Sequence, residues 1–256
     1  MKNSIGTRSW AQATNGALRN IDRKRLMAEV LLARVANMPK QMRAWIGLSD
    51  PILAKIDINA IHIPDSSAAL RAAELITSLS PPWLVNHCTR TYLWGAMLAQ
   101  TEAIIFDQEL LYVASALHDI GLTGKYACGA HCAACFAVEG ARAAETFADS
   151  IGWTNERRDR LSEAISLHLN ISVGRAHGPE AYLLHAGASV EVIGARIKEI
   201  DAHGIDHVLR NYPREDFNTE ISALIEKDAR DRPDSRIAFL INLGFSRMIR
   251  ESSWVS

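Results

Sequence analysis

The stretch Leu110–Thr123 reads LLYVASALHDIGLT. Leu110, Ala114, Leu117 and His118 share one face of a helix with 3.6 residues per turn, so His118 lies on the apolar stripe that has to turn inward. Gly121 then supplies a typical stop signal. Neighbouring helical side chains point about 100° apart, so His118 and Asp119 reach a common ion most easily near the end of a helix. The last carbonyls of that helix carry partial negative charge, which favours a cation there.

Three other segments repeat the pattern. After Pro82, the residues Leu84, His87, Thr91, Trp94 and Leu98 fall on one stripe. Leu161, Ala164, Ile165 and His168 form a second, and Leu184, Gly187, Ala188 and Glu191 a third. A single inward histidine is ordinarily a hydrogen-bonded core residue. Four imidazole or carboxylate groups ending four apolar stripes point instead to a shared ligand, because helices of a bundle deliver such donors to one point. A carboxylate beside Gly187 and Ala188 is costly to bury without a partner. These groups, with Asp119 beside His118, are therefore candidates to hold one divalent ion, and zinc, iron, manganese, nickel and cobalt all suit such donors.

The remainder of the chain is consistent with an all-α protein. Helical spacing recurs in nearly every long segment, and no pair of alternating runs is joined by a hairpin turn. Helices are expected at about 18–36, 66–79, 82–100, 108–120, 137–150, 156–169, 179–199, 202–210, 216–229 and 234–251, with a break at Pro39. The composition shift before residue 60 divides the chain into an N-terminal extension, 1–60, and a main domain, 61–256. The extension is read as a lid or as the arm of a homo-oligomer. A net charge of −1 gives no general attraction for nucleic acid or anionic lipid. No run reaches the roughly 18 apolar residues of a bilayer span, and the polar residues after Lys2 and Arg8 do not make a signal peptide, so a cytoplasmic location is expected. Cys128, Cys132 and Cys135 have a C-x3-C-x2-C spacing. An iron–sulfur cluster would call for an α/β barrel, and a structural zinc would add His131. The plainer reading, small residues in a loop over the site, is preferred.

At His87, at the pair His118-Asp119 and at the late acidic position Glu191, the sequence resembles the HD superfamily. The runs NHCTRTY from Asn86, LHDIGLT from Leu117, FAVEGA from Phe136, AISLH from Ala164 and GASVEVIG from Gly187 are similar to its cyanamide hydratase-like branch, over about residues 60–215. Two positions depart from it: Glu191 stands where the pattern has Asp, and Ala137 follows the aromatic residue where that branch has an acid, with Glu139 two residues on. The resemblance implies an HD-domain helical bundle that binds one divalent metal, zinc first, through His87, His118, Asp119 and Glu191, and that hydrates or hydrolyses a small molecule.

An ion with an open position lowers the pKa of bound water and supplies the nucleophile. A small nitrile-like, cyanamide-like or amide-like substrate is favoured. Asp119 is expected to act as ligand and proton acceptor, and His168 as proton shuttle or substrate hydrogen bond. Arg90, Glu139 and Lys125 are the candidate substrate contacts. The alternatives are an HD phosphohydrolase acting on a nucleotide or phosphomonoester, and a non-catalytic binding protein.

Overall fold

The computed structural model describes residues 4–45, 56–127 and 133–252, the side chains of 36–45 and of Lys125 excepted. Among the described residues there are twelve α-helices and no strand, which is the all-α class expected. The order is α1 (Arg8–Thr14), α2 (Asn20–Trp45), α3 (Ser67–Leu79), α4 (Pro82–Thr101), α5 (Gln108–Leu117), α6 (Phe136–Ser150), α7 (Asn155–Leu167), α8 (Pro179–Ile193), α9 (Ala202–Asn211), α10 (Phe217–Asp231), α11 (Arg236–Asn242) and α12 (Phe245–Glu251).

Local chemistry sets most of these boundaries. Ser66, Asp107, Thr154, Asp201 and Ser235 each cap a helix by accepting a backbone N–H of its first turn, a contact worth about 1 kcal/mol apiece. Pro82 opens α4, where its missing N–H costs nothing. Gly194, at φ 66°, ends α8 six residues before the expected limit. Gly244, at φ 92°, divides the expected 234–251 helix into α11 and α12. Helix α1 was not anticipated; Thr7 caps it and Asn15, at φ 54°, stops it. Conversely, α2 runs through Pro39, since a proline removes one backbone donor without necessarily ending a helix.

The apolar residues gather into two clusters. One, built around Trp94, Met97, Leu111, Leu117 and Leu184, joins α3, α4 and α5 to the inner faces of α6, α7 and α8. The second joins Leu84, Phe136, Phe217, Ile225 and Ile237 to the N-terminal residues Ile5, Trp10 and Leu26. Trp10 is 1% exposed, and Arg8 pairs with Glu145 and Asp159, so this part of the N-terminal extension is built into the body. On α4, Leu84 belongs to the second cluster while Cys88 and Tyr92 belong to the first. His87 lies where the two meet.

Two glycines bring the helices of the site together. A Cβ on Gly187 would sit 2.2 Å from the carbonyl oxygen of Thr91, so only glycine lets α8 approach α4 this closely. A Cβ on Gly121 would meet the carbonyl oxygen of Phe136 at 2.1 Å, which seats the His-Asp turn against the start of α6. No described helix is long and apolar enough to cross a membrane.

Candidate metal centre

Helix α5 ends at Leu117, and the chain tightens into a 3₁₀ turn over Ile120–Leu122. His118 keeps helical dihedrals and Asp119, at φ −102° and ψ 7°, is the first residue to leave them, so the pair stands at the helix end. The result is a triangle of donor atoms: His87 Nε2 lies 3.1 Å from His118 Nε2, and Asp119 Oδ2 lies 3.3 Å from the first and 3.4 Å from the second. Two donors about 2.0–2.2 Å from one ion are roughly 3.0–3.5 Å apart, so the triangle has the size that a shared ion requires.

The hydrogen-bond partners orient the rings. His118 Nδ1 is 2.7 Å from the carbonyl oxygen of Ser115 and donates to it, which leaves its Nε2 as a lone pair. His87 Nδ1 faces Glu191 Oε1 at 3.7 Å, too long for a good hydrogen bond but directed at an acceptor. All three residues are at most 5% exposed. Burial pushes the carboxyl of Asp119 up, yet the charges of His118 and His87 outweigh it and hold the group well below the usual carboxylate range. Burial pushes His118 down. At His87 the burial effect is outweighed by Asp119 and Glu191, which lift it. An ionised carboxylate facing imidazole lone pairs in a dry site matches a cation, and the buried His87–His118–Asp119 group can hold a metal ion.

Glu191 is corrected as a ligand. It is fully buried on α8 as expected, but Oε1 accepts from Arg90 Nε and Nη2 at 3.0 and 2.7 Å and from Arg214 Nη1 at 2.7 Å, while Oε2 accepts from Trp94 Nε1 at 2.7 Å. It stands behind the His87 ring, on the Nδ1 side, and outside the donor triangle. Burial pushes its carboxyl up, and Arg90, His87 and Arg214 overcome that to hold it low. That is the place an outer carboxylate would take beside a metal-binding histidine.

The expected substrate contacts are corrected too. Arg90 is fully buried and spent on Glu191 and on the carbonyl oxygens of Tyr212 and Pro213. Glu139 accepts the N–H of Ala133 at 2.9 Å and so ties down the loop before α6. The Lys125 side chain lies outside the described residues, as do Cys128, His131 and Cys132. Cys135 is buried, its sulfur 3.5 Å from Arg236 Nη2.

His168 does join the centre. Its Nδ1 donates to the carbonyl oxygen of Ile165 at 2.6 Å, which leaves Nε2 as an acceptor 3.6 Å from Asp119 Oδ1. Burial and the charge of His118 push it down to about 3, so it stays neutral. Several neighbours carried no signal in the sequence. Phe217 stacks on the His87 ring with centroids 4.6 Å apart. His185 Nδ1 lies 3.0 Å from the carbonyl oxygen of His168. Arg214 reaches Glu191 from the loop after Pro213.

His87, His118, Asp119 and His168 form part of the lining of a cavity of about 760 Å³. Its other walls are mostly aliphatic and come from α2, α8, α10, α11 and α12, and Arg34 on α2 is the one lysine or arginine among the described residues lining it. No family model matches the chain, and no curated protein matches it.

Proposed function

We propose that this chain is a metal-dependent enzyme of the HD type that adds water to an uncharged carbon–nitrogen group, such as a nitrile or an amide. The observation that supports this reading is the donor triangle of His87, His118 and Asp119 on the wall of a mostly apolar cavity. The three residues would hold one divalent ion, zinc first. When bound, such an ion acts as a Lewis acid and lowers the pKa of water to near 7.

The chain's own residues supply the positioning. Glu191, clamped by Arg90, Arg214 and Trp94, presents its charge to the Nδ1 side of His87, and Phe217 holds the ring by stacking. The bond to Ser115 fixes His118. His168 offers its Nε2 as an acceptor beside Asp119, where it can orient a water or a substrate N–H. Hydration of a nitrile then gives an amide, and hydrolysis of an amide gives a carboxylate and an amine, with water the only co-reactant. A phosphomonoester dianion would need cationic groups around it. Arg90 and Arg214 are committed to Glu191, and among the described residues Arg34 is the one lysine or arginine on the wall, so carbon is preferred to phosphorus.

The test is turnover by zinc-loaded protein of a panel of nitriles, amides and phosphomonoesters in ¹⁸O-labelled water, read by mass spectrometry. Label entering a nitrile or amide product with the native chain, and not with Asp119→Asn, is the expected result. Label entering phosphate alone would replace this reading by a phosphohydrolase. No label from metal-replete protein in any class would replace it by a binding protein.

A further inference from the structure

The walls of the cavity say more about the substrate than its floor does. A volume near 760 Å³ is in the range of sites that enclose drug-sized molecules, about 300–1,000 Å³. A nitrile or amide group of a few atoms would leave most of it unfilled. Beyond the His-Asp floor the lining is mostly aliphatic, with Val192 on α8, Ile221 and Ile225 on α10, and Ile249 on α12, interrupted by Arg34, Asn170, His185 and Ser189. At the rim, Leu31 and Val35 of α2 are 55% and 62% exposed. Large aliphatic side chains kept in water around an opening mark a surface that a ligand covers.

We infer that the molecule taken by this site is an uncharged amphiphile, with a compact polar head at His118, Asp119 and His168 and an extended apolar tail running along α8, α10 and α12 towards Leu31. This rests on the proposed hydrolytic reading for the chemistry of the head; the tail rests on the cavity alone. Polar groups at most 7% exposed lie at the floor, so the occupant has to be slender enough to reach them, which a protein surface is not. Each methylene withdrawn from water into such a wall strengthens binding by about fourfold.

The experiment is calorimetric titration of butanamide, hexanamide, octanamide and dodecanamide into zinc-loaded native protein, into metal-free protein and into two variants. Leu31→Asp changes a half-exposed side chain at the rim, and Val192→Phe fills the cavity from a partly exposed position, so both should fold. Affinity is expected to rise by about fourfold per methylene in the native chain, with or without metal. Leu31→Asp should cut the affinity for dodecanamide about tenfold or more while changing that for butanamide little, and Val192→Phe should stop the rise at a shorter tail. Equal affinities along the series in folded, zinc-loaded protein would overturn the inference and leave the hydrolytic reading standing. A rising series in a protein that takes up no metal on reconstitution would leave the inference standing and overturn the hydrolytic reading. A response that follows self-association, read by light scattering in the same samples, would make a second copy of the chain the occupant and overturn it also.

Discussion

His87 Nε2 and His118 Nε2 face each other across 3.1 Å at the floor of an apolar cavity. The Nδ1 of His118 is committed to the carbonyl oxygen of Ser115, and that of His87 faces the carboxylate of Glu191. With its proton on Nδ1, His118 turns a lone pair to the point where His87 Nε2 and Asp119 Oδ2 also converge, a point that a metal ion can occupy.

Glu191→Gln separates support from ligation. The substitution leaves Arg90 and Arg214 around a buried neutral group, and breaking a buried ion pair in this way costs about 3–5 kcal/mol. The ion should be retained with about 10–100-fold weaker affinity, the usual effect of losing an outer partner of a ligating histidine. Thermal unfolding and competition with a zinc chelator measure the two effects. Complete loss of metal from a folded variant would make Glu191 a ligand after all.

His168→Ala removes an acceptor beside Asp119 but none of the three donor atoms. Metal content should be unchanged, and kcat on the substrate that responds in the panel should fall by about 10²-fold or more. Equal kcat in the two proteins would reduce His168 to a packing residue.

Gly187→Ala tests the close approach of α4 and α8. The added Cβ would lie 2.2 Å from the carbonyl oxygen of Thr91, and forcing the helices apart should cost about 3 kcal/mol. Gly174 has open space around it and no positive φ, so Gly174→Ala should be neutral or stabilise by about 0.5 kcal/mol. Chemical denaturation of the pair reads the contrast.

Asp228 gives the chain a pH dependence away from the donor triangle. Burial pushes its carboxyl up to about 6, against the pull of Arg232 at 3.0 Å. Its folded pKa is above its unfolded value, so between about pH 4 and 6 the folded chain holds a proton that the unfolded chain has released. This group's contribution to stability therefore falls as pH rises through that window, by an amount on the order of 2 kcal/mol. Asp228→Asn keeps the neutral form at every pH. Its melting temperature should match the native one near pH 4 and exceed it near pH 7; equal melting temperatures at both would show that the carboxyl titrates normally.

Periodicity revealed the directions of the site residues and little about their partners. The spacing of Leu84, His87, Trp94 and Leu98, and of Leu184, Gly187 and Glu191, placed these side chains inward, and they are inward. It could not distinguish a Glu191 that binds metal from one that binds Arg90, because that choice depends on Arg214, which arrives from a loop after Pro213. Phe217 stacks on His87 from the first turn of α10, a position set by the path of the chain rather than by local pattern. The cavity was invisible for the same reason, since α2, α8, α10 and α12 are far apart in sequence. Helix starts were legible where Ser, Thr or Asp capped them, whereas the breaks at Gly194 and Gly244 depended on backbone conformations that a glycine permits without requiring.

Whether His87, His118 and Asp119 hold an ion decides whether any metal-dependent reading of the site stands. The deciding measurement is the element-resolved metal content of protein purified without chelators and then reconstituted, native against His118→Ala. About one divalent ion per native chain and none in the folded variant is the predicted result. Native protein that holds no metal after reconstitution, or a His118→Ala variant that holds as much as the native chain, would contradict it.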